Sequence, residues 1–245
     1  LLPGAPNPLD TATLPAFINL RSRINLREGF TAPRQFQHLA NAVLGVAMGP
    51  SVPAEPELAE SPYRGLEPFD ATHAEFFFGR GAEIRKLLDK LRDAPFVAVI
   101  GPSGSGKSSL VLAGLIPALR NDQLPGSAAW PIVTMVPGPH PVESLAVALD
   151  TLNPQRSRNL LLEELQGSPE GLRLEATALL RERPRGARLV LVVDQFEEIF
   201  TLCRDEAERD AFLNLLLAAV EPDGPCLVVI TMRADFYPRI TEYPA

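Results

Sequence analysis

Eight consecutive residues, Gly101-Pro102-Ser103-Gly104-Ser105-Gly106-Lys107-Ser108, follow the pattern G-x-x-x-x-G-K-[ST] at every fixed position. Glycines at these places let successive backbone N–H groups turn inward around phosphate oxygens. The lysine supplies a positive charge to the β- and γ-phosphates, and the serine hydroxyl supplies an oxygen to Mg²⁺. The chemistry expected of Gly101, Ser103, Gly104, Ser105, Gly106, Lys107, Ser108 and Ser109 is therefore the binding of ATP, or ADP, with magnesium. A Gly/Ser-rich turn that happens to contain a lysine is the bland alternative. It leaves unexplained the apolar run before the segment and the amphipathic run after it.

A phosphate loop needs an acidic partner for the metal. Leu189-Val190-Leu191-Val192-Val193-Asp194 is an apolar run ending in a carboxylate, and the C-terminal edge of a sheet strand is where open α/β sheets bind ligands. Ser108 and Asp194 are thus the expected metal residues. Glu197 and Glu198 follow at once. One of them, Glu197 by preference and Glu198 as the alternative, would orient or activate the water attacking the γ-phosphorus. Both also suit a helix start, where acids complement the dipole. Arg233 closes the run Cys226–Met232. It either approaches the γ-phosphate as a sensor or pairs with Asp235 or with an acid of the Asp194 segment. Upstream, Phe76-Phe77-Phe78-Gly79-Arg80 precedes a helical pattern. The aromatics suit a core, and Gly79 would let the backbone approach a flat ring, but spacing alone does not place an adenine there.

These residues need elements to hold them. Apolar runs at Phe96–Ile100, Ile132–Val136, Arg188–Val193 and Cys226–Met232 read as buried strands. Between them lie helical patterns at Lys107–Arg120, Val142–Leu149, Asn159–Leu165, Leu172–Arg183 and Glu206–Val220, and Ile84, Leu87, Leu88 and Leu91 share one side of a helix before the first strand. Strands without alternation, separated by helices, predict an α/β fold with a mostly parallel sheet flanked by helices. The chain of 245 residues carries 46% hydrophobic and 22% charged residues, enough for a sizeable core, and its net charge of −7 argues against a dedicated nucleic-acid binder. No apolar run reaches the length of a membrane span, and two distant cysteines without metal spacing read as reduced thiols, so a cytoplasmic protein is expected. The Pro-rich stretch 49–62 reads as a linker between a small N-terminal piece, 1–48, and a nucleotide-binding domain, 63–245. The opening Leu1-Leu2-Pro3, without Met, and the close at Pro244-Ala245 read as a fragment cut at both ends.

Taken in order, Phe78-Gly79-Arg80, the phosphate loop, Asp194-Gln195-Phe196-Glu197-Glu198 and Thr231-Met232-Arg233 resemble the nucleotide-binding domain of STAND P-loop NTPases, in particular the bacterial novel STAND group. The resemblance runs from Ser61 to the end. It implies that Phe78, Gly79 and Arg80 lie on the adenine side, that Arg233 is the sensor, and that the protein is a signalling switch whose ATP-bound form self-associates on sensing an activating ligand. Leu1–Pro6, Leu14–Phe17, Arg23–Arg27 and the helical pattern through Leu44 resemble the last third of a TIR domain, with Ile24-Asn25-Leu26 where an aromatic-rich run is usual. That resemblance implies a TIR effector and a role in bacterial defence or signalling. The catalytic Glu of a TIR NADase would fall before Leu1, so no NADase residue is assigned. The competing expectations are a housekeeping P-loop ATPase or kinase, for which no L-S-G-G-Q-like signature or lid signal appears, and a scaffold that holds nucleotide without turnover.

Overall fold

The computed structural model describes residues 69–221 and 224–241. The TIR-like piece at 1–48 and the linker at 49–62 lie outside the described residues, which all belong to the unit Pro62–Ala245.

A short 3₁₀ turn (Ala71–Phe76) leads into helix α1 (Gly81–Asp93) and then strand β1 (Phe96–Gly101). A composite helix α2, residues 107–120, follows the loop. Strand β2 (Ile132–Met135) precedes α3 (Pro141–Asp150), α4 (Arg158–Gly167) and α5 (Gly171–Leu179). Strand β3 (Leu189–Val193) is followed by the single-turn α6 (Glu198–Thr201) and by α7 (Glu206–Ala219). Strand β4 (Cys226–Arg233) ends the sheet, with α8 (Tyr237–Thr241) beyond it. The four strands are all parallel and lie in the order β1-β4-β3-β2. The expected α/β architecture is thus the one found.

β3 is buried at every residue, and β4 at all but its last, as strands covered on both faces must be. The period-2 alternation sorts their side chains into two cores. Leu189, Leu191, Val193, Val228 and Ile230 pack under α3, α4, α5 and α7. Val190, Val192, Leu227 and Val229 pack under α1 and α2, where Leu87, Leu88 and Leu91 of the predicted apolar face of α1 are buried. Cys203 and Cys226 are free and buried, and burial pushes the Cys226 thiol up to about 12.

Two helices depart from the sequence pattern. α5 stops at Leu179 rather than Arg183, because the chain tightens into turns, with Arg183 N–H donating to the Leu180 carbonyl. Pro184 disfavours a helical residue just before it. α2 is a turn of α-helix at Lys107–Ser109, a π-helical stretch at Leu110–Leu115 and an α-helical end at Ile116–Arg120. Pro117 has no N–H to continue the regular ladder, and immediately before it the Ile116 N–H reaches back five residues to the Val111 carbonyl.

Candidate functional site

β1 stops at Gly101 and the chain reverses over exposed residues 102–106 before α2 begins at Lys107. Gly104 and Gly106 take φ of 72° and 82°, a left-handed backbone that costs glycine little and other residues more. At Gly101 an added Cβ would meet Ser105 Oγ at 3.0 Å, so the loop closes tightly on its own start. The Lys107 ammonium folds back and donates to the Pro102 carbonyl at 2.8 Å. Ser103 and Ser105 stand on the exposed rim. Ser109 is buried, and its hydroxyl accepts the Phe69 N–H at 3.1 Å, so that hydroxyl ties the segment before α1 to the start of α2.

Asp194 follows the last residue of β3 and is only 6% exposed. By strand alternation it points to the same side of the sheet as Val190 and Val192, the side covered by α2. There the Ser108 hydroxyl donates to Asp194 Oδ1 at 2.7 Å. The Thr231 hydroxyl of β4 donates to the same oxygen and accepts the Gln195 N–H at 3.1 Å. Gln195 itself has φ of 53°, a left-handed conformation uncommon for a residue with a side chain. The Phe196 N–H donates to the Thr231 carbonyl at 2.8 Å, and Asp194 N–H to the Met135 carbonyl at 2.8 Å. The turn after β3 is therefore held from both neighbouring strands.

Both acids expected near an attacking water already accept backbone hydrogen bonds. Glu197 Oε2 takes the Arg233 N–H at 3.2 Å. Glu198 Oε2 takes the Gly138 N–H at 3.0 Å, which anchors the loop after β2. The same loop is tied at its end by His140, whose ring nitrogen lies 3.0 Å from Glu208 Oε2 on α7. That hydrogen bond raises the His140 pKa from its ordinary value.

Arg233 pairs in register with Gly101, which puts the end of β4 beside the first residue of the loop. Its guanidinium donates twice to Asp235, at 3.1 and 2.7 Å, and lies 5.7 Å from the centroid of the Phe236 ring. Of the partners open to Arg233, Asp235 is the one its side chain takes here. The hydrogen bond from Arg233 holds the Asp235 carboxyl below the usual range, with a smaller contribution from the charge of Lys107. Loop lysine, Asp235 and Arg233 thus share one electrostatic neighbourhood.

The residues expected on the adenine side are all exposed. Phe78 is 81% exposed, Gly79 has φ of 84°, and Arg80 pairs with Glu83 at 3.3 Å. Phe77 is half-buried and meets Phe69 at 6.3 Å between ring centroids, whereas the core reading of the aromatics fails for Phe78. No hydrogen bond or ion pair joins Phe78, Gly79 or Arg80 to the loop among the described residues. Thr231, Gln195 and Gly138 gained no individual role from the sequence. A threonine within the apolar run Cys226–Met232 was the available signal, but its neighbours depend on strand order.

The loop residues 102–106 are open to solvent. An apolar groove of about 660 Å³ opens elsewhere, beside Phe96, Ala98, Ile100, Phe196, Leu217 and Ile240, and includes none of residues 101–109. Among the described residues no group of three or more His, Cys, Asp and Glu converges as a metal cage, and no helix is long and apolar enough to cross a membrane.

Comparison with known families matches residues 62–245 to Novel STAND NTPase 1. No curated protein matches the chain. Among solved structures, the ORC2 protein of Aeropyrum pernix, in ADPNP–ADP complexes, is similar at 13% identity and a TM-score of 0.43. The match covers 68% of this chain and 46% of that one, so the chain spans less than half the length of that neighbour.

Proposed function

Because this chain belongs to the Novel STAND NTPase 1 family, we propose that it is an ATP-binding and ATP-hydrolysing switch, with its nucleotide at the edge formed by residues 101–109 and Asp194. The observation that carries this reading is the 2.7 Å contact between Ser108 Oγ and Asp194 Oδ1. It brings a hydroxyl and a carboxylate, two hard oxygen donors of the kind Mg²⁺ takes, together at the N-terminus of α2. The ion, when bound with the nucleotide, would neutralise charge on the phosphates and draw its other ligands from phosphate and water.

In this reading Gly101, Ser103, Gly104, Ser105, Gly106 and Ser109 supply the backbone cradle, and Lys107 leaves the Pro102 carbonyl for the β- and γ-phosphates. Glu197 orients the attacking water. Its carboxylate already touches the backbone of Arg233, whereas Glu198 is committed to the loop after β2. Arg233 senses the γ-phosphate by exchanging Asp235 for it. Phe78, Gly79 and Arg80 take the adenine side, supported by the exposed face of Phe78 and the left-handed turn at Gly79. At the level of the whole protein we infer self-association through the nucleotide domain, control by a sensed ligand, and coupling to an N-terminal TIR effector whose last third residues 1–48 resemble, in a cytoplasmic bacterial defence or signalling role.

Lys107→Ala tests the site. Calorimetry should show ATP binding lost, since the loop keeps its amides but loses its charge; unchanged affinity would overturn the assignment.

A further inference from the structure

We propose that Thr231 is a positioning residue for the magnesium site, setting the Asp194 carboxylate against Ser108; this rests on the nucleotide-binding function proposed above. Thr231 is 1% exposed, in a strand otherwise made of apolar side chains and Arg233. A buried hydroxyl is costly unless its hydrogen-bonding capacity is used. Here it is used in both directions. It donates to Asp194 Oδ1 and accepts the Gln195 N–H.

Each bond does a separate job. The first fixes the rotation of the carboxylate, so that the oxygen shared with Ser108 faces α2 and the other oxygen is left for water or metal. The second stabilises the left-handed Gln195, whose φ of 53° sets where Asp194 ends and Glu197 begins. The main-chain bond from Phe196 N–H to the Thr231 carbonyl survives any side-chain substitution, so the turn keeps its attachment to β4 when the hydroxyl is removed. Thr231 thereby links β4, whose end carries Arg233, to the acid at the end of β3. Neighbours that orient a ligand carboxylate affect metal affinity without touching the metal.

The test measures binding of a fluorescent ATP analogue to the full chain, in excess EDTA and across a Mg²⁺ titration. Thr231→Val keeps the shape and removes the hydroxyl. It should raise the Mg²⁺ concentration at half-saturation by about ten- to hundredfold and leave the metal-free affinity of the analogue unchanged. Thr231→Ser, which restores the hydroxyl, should return the midpoint to within about twofold of the parent. An unshifted midpoint in Thr231→Val, or a serine variant as impaired as the valine one, overturns the proposal. Should the valine chain fail to fold, Thr231→Cys carries the same test, because a thiol is a weak donor. If the parent chain binds the analogue with no dependence on Mg²⁺ or Lys107, the proposed function fails and this inference fails with it. A parent that needs both, with a valine variant that behaves like it, removes the role of Thr231 alone.

Discussion

Glu197 and Glu198 are adjacent, chemically identical and held differently. Glu197 Oε2 receives the amide of Arg233 at the rim, while Glu198 Oε2 receives Gly138 from the loop after β2. On the proposed function, Glu198 anchors the loop after β2, and Glu197, bound to the backbone of the residue in register with Gly101, exchanges that amide for water. Glu197→Gln should therefore retain ATP and slow its hydrolysis by about 10²- to 10⁴-fold, read as phosphate release under saturating nucleotide. Glu198→Gln keeps one oxygen acceptor for Gly138 and should change turnover much less. If only Glu198→Gln is dead, the two roles are exchanged.

At the scale of elements, the phosphate loop is aimed by α2, and α2 is seated by a close approach at Gly114. A Cβ there would come 3.0 Å from Ile84 Cδ1 on α1 and 3.3 Å from the Phe77 ring. Gly114 lies in the π-helical stretch that precedes Pro117, so this contact joins the irregular part of α2 to the segment carrying Phe78 and Gly79. Gly114→Val should destabilise the fold by about 1–3 kcal/mol through overpacking, seen as a lower denaturant midpoint. Trimming the neighbour with Ile84→Ala should recover part of that loss in the double variant. A valine chain as stable as the parent would mean that α1 and α2 slide apart without cost.

Across the whole molecule, the candidate site is assembled from the ends of three strands and the start of one helix, so its ligands should stabilise the fold as a unit. A nucleotide that binds only the folded chain at a hundred times its Kd adds about 2.7 kcal/mol. ATP with Mg²⁺ should raise the melting temperature of the parent chain, and Lys107→Ala should abolish the rise. An equal rise in the Lys107 variant would place the nucleotide elsewhere on the protein.

The amino-acid sequence by itself determined the elements and the chemical kinds at their ends. Unbroken apolar runs with no alternation imply strands covered on both faces, and G-x-x-x-x-G-K-[ST] between a strand and a helix carries its backbone chemistry locally, because glycine φ preferences and a helix N-terminus need no distant partner. Asp194 at the end of an apolar run was legible for the same reason. Strand order was not. That β4 lies between β1 and β3 is decided by how two cores pack against the sheet, and only this order puts Arg233 beside Gly101 and Thr231 against Asp194. The hydrogen-bond partners of Glu197 and Glu198 also escaped the sequence, since neighbouring residues in a turn point to different places once Gln195 adopts a positive φ. The pairing of Arg233 had several open partners in the sequence, and tertiary structure selected Asp235 for its side chain and Glu197 for its backbone. Local rules wrote the loop; long-range packing, which no spacing along the chain records, built the site around it.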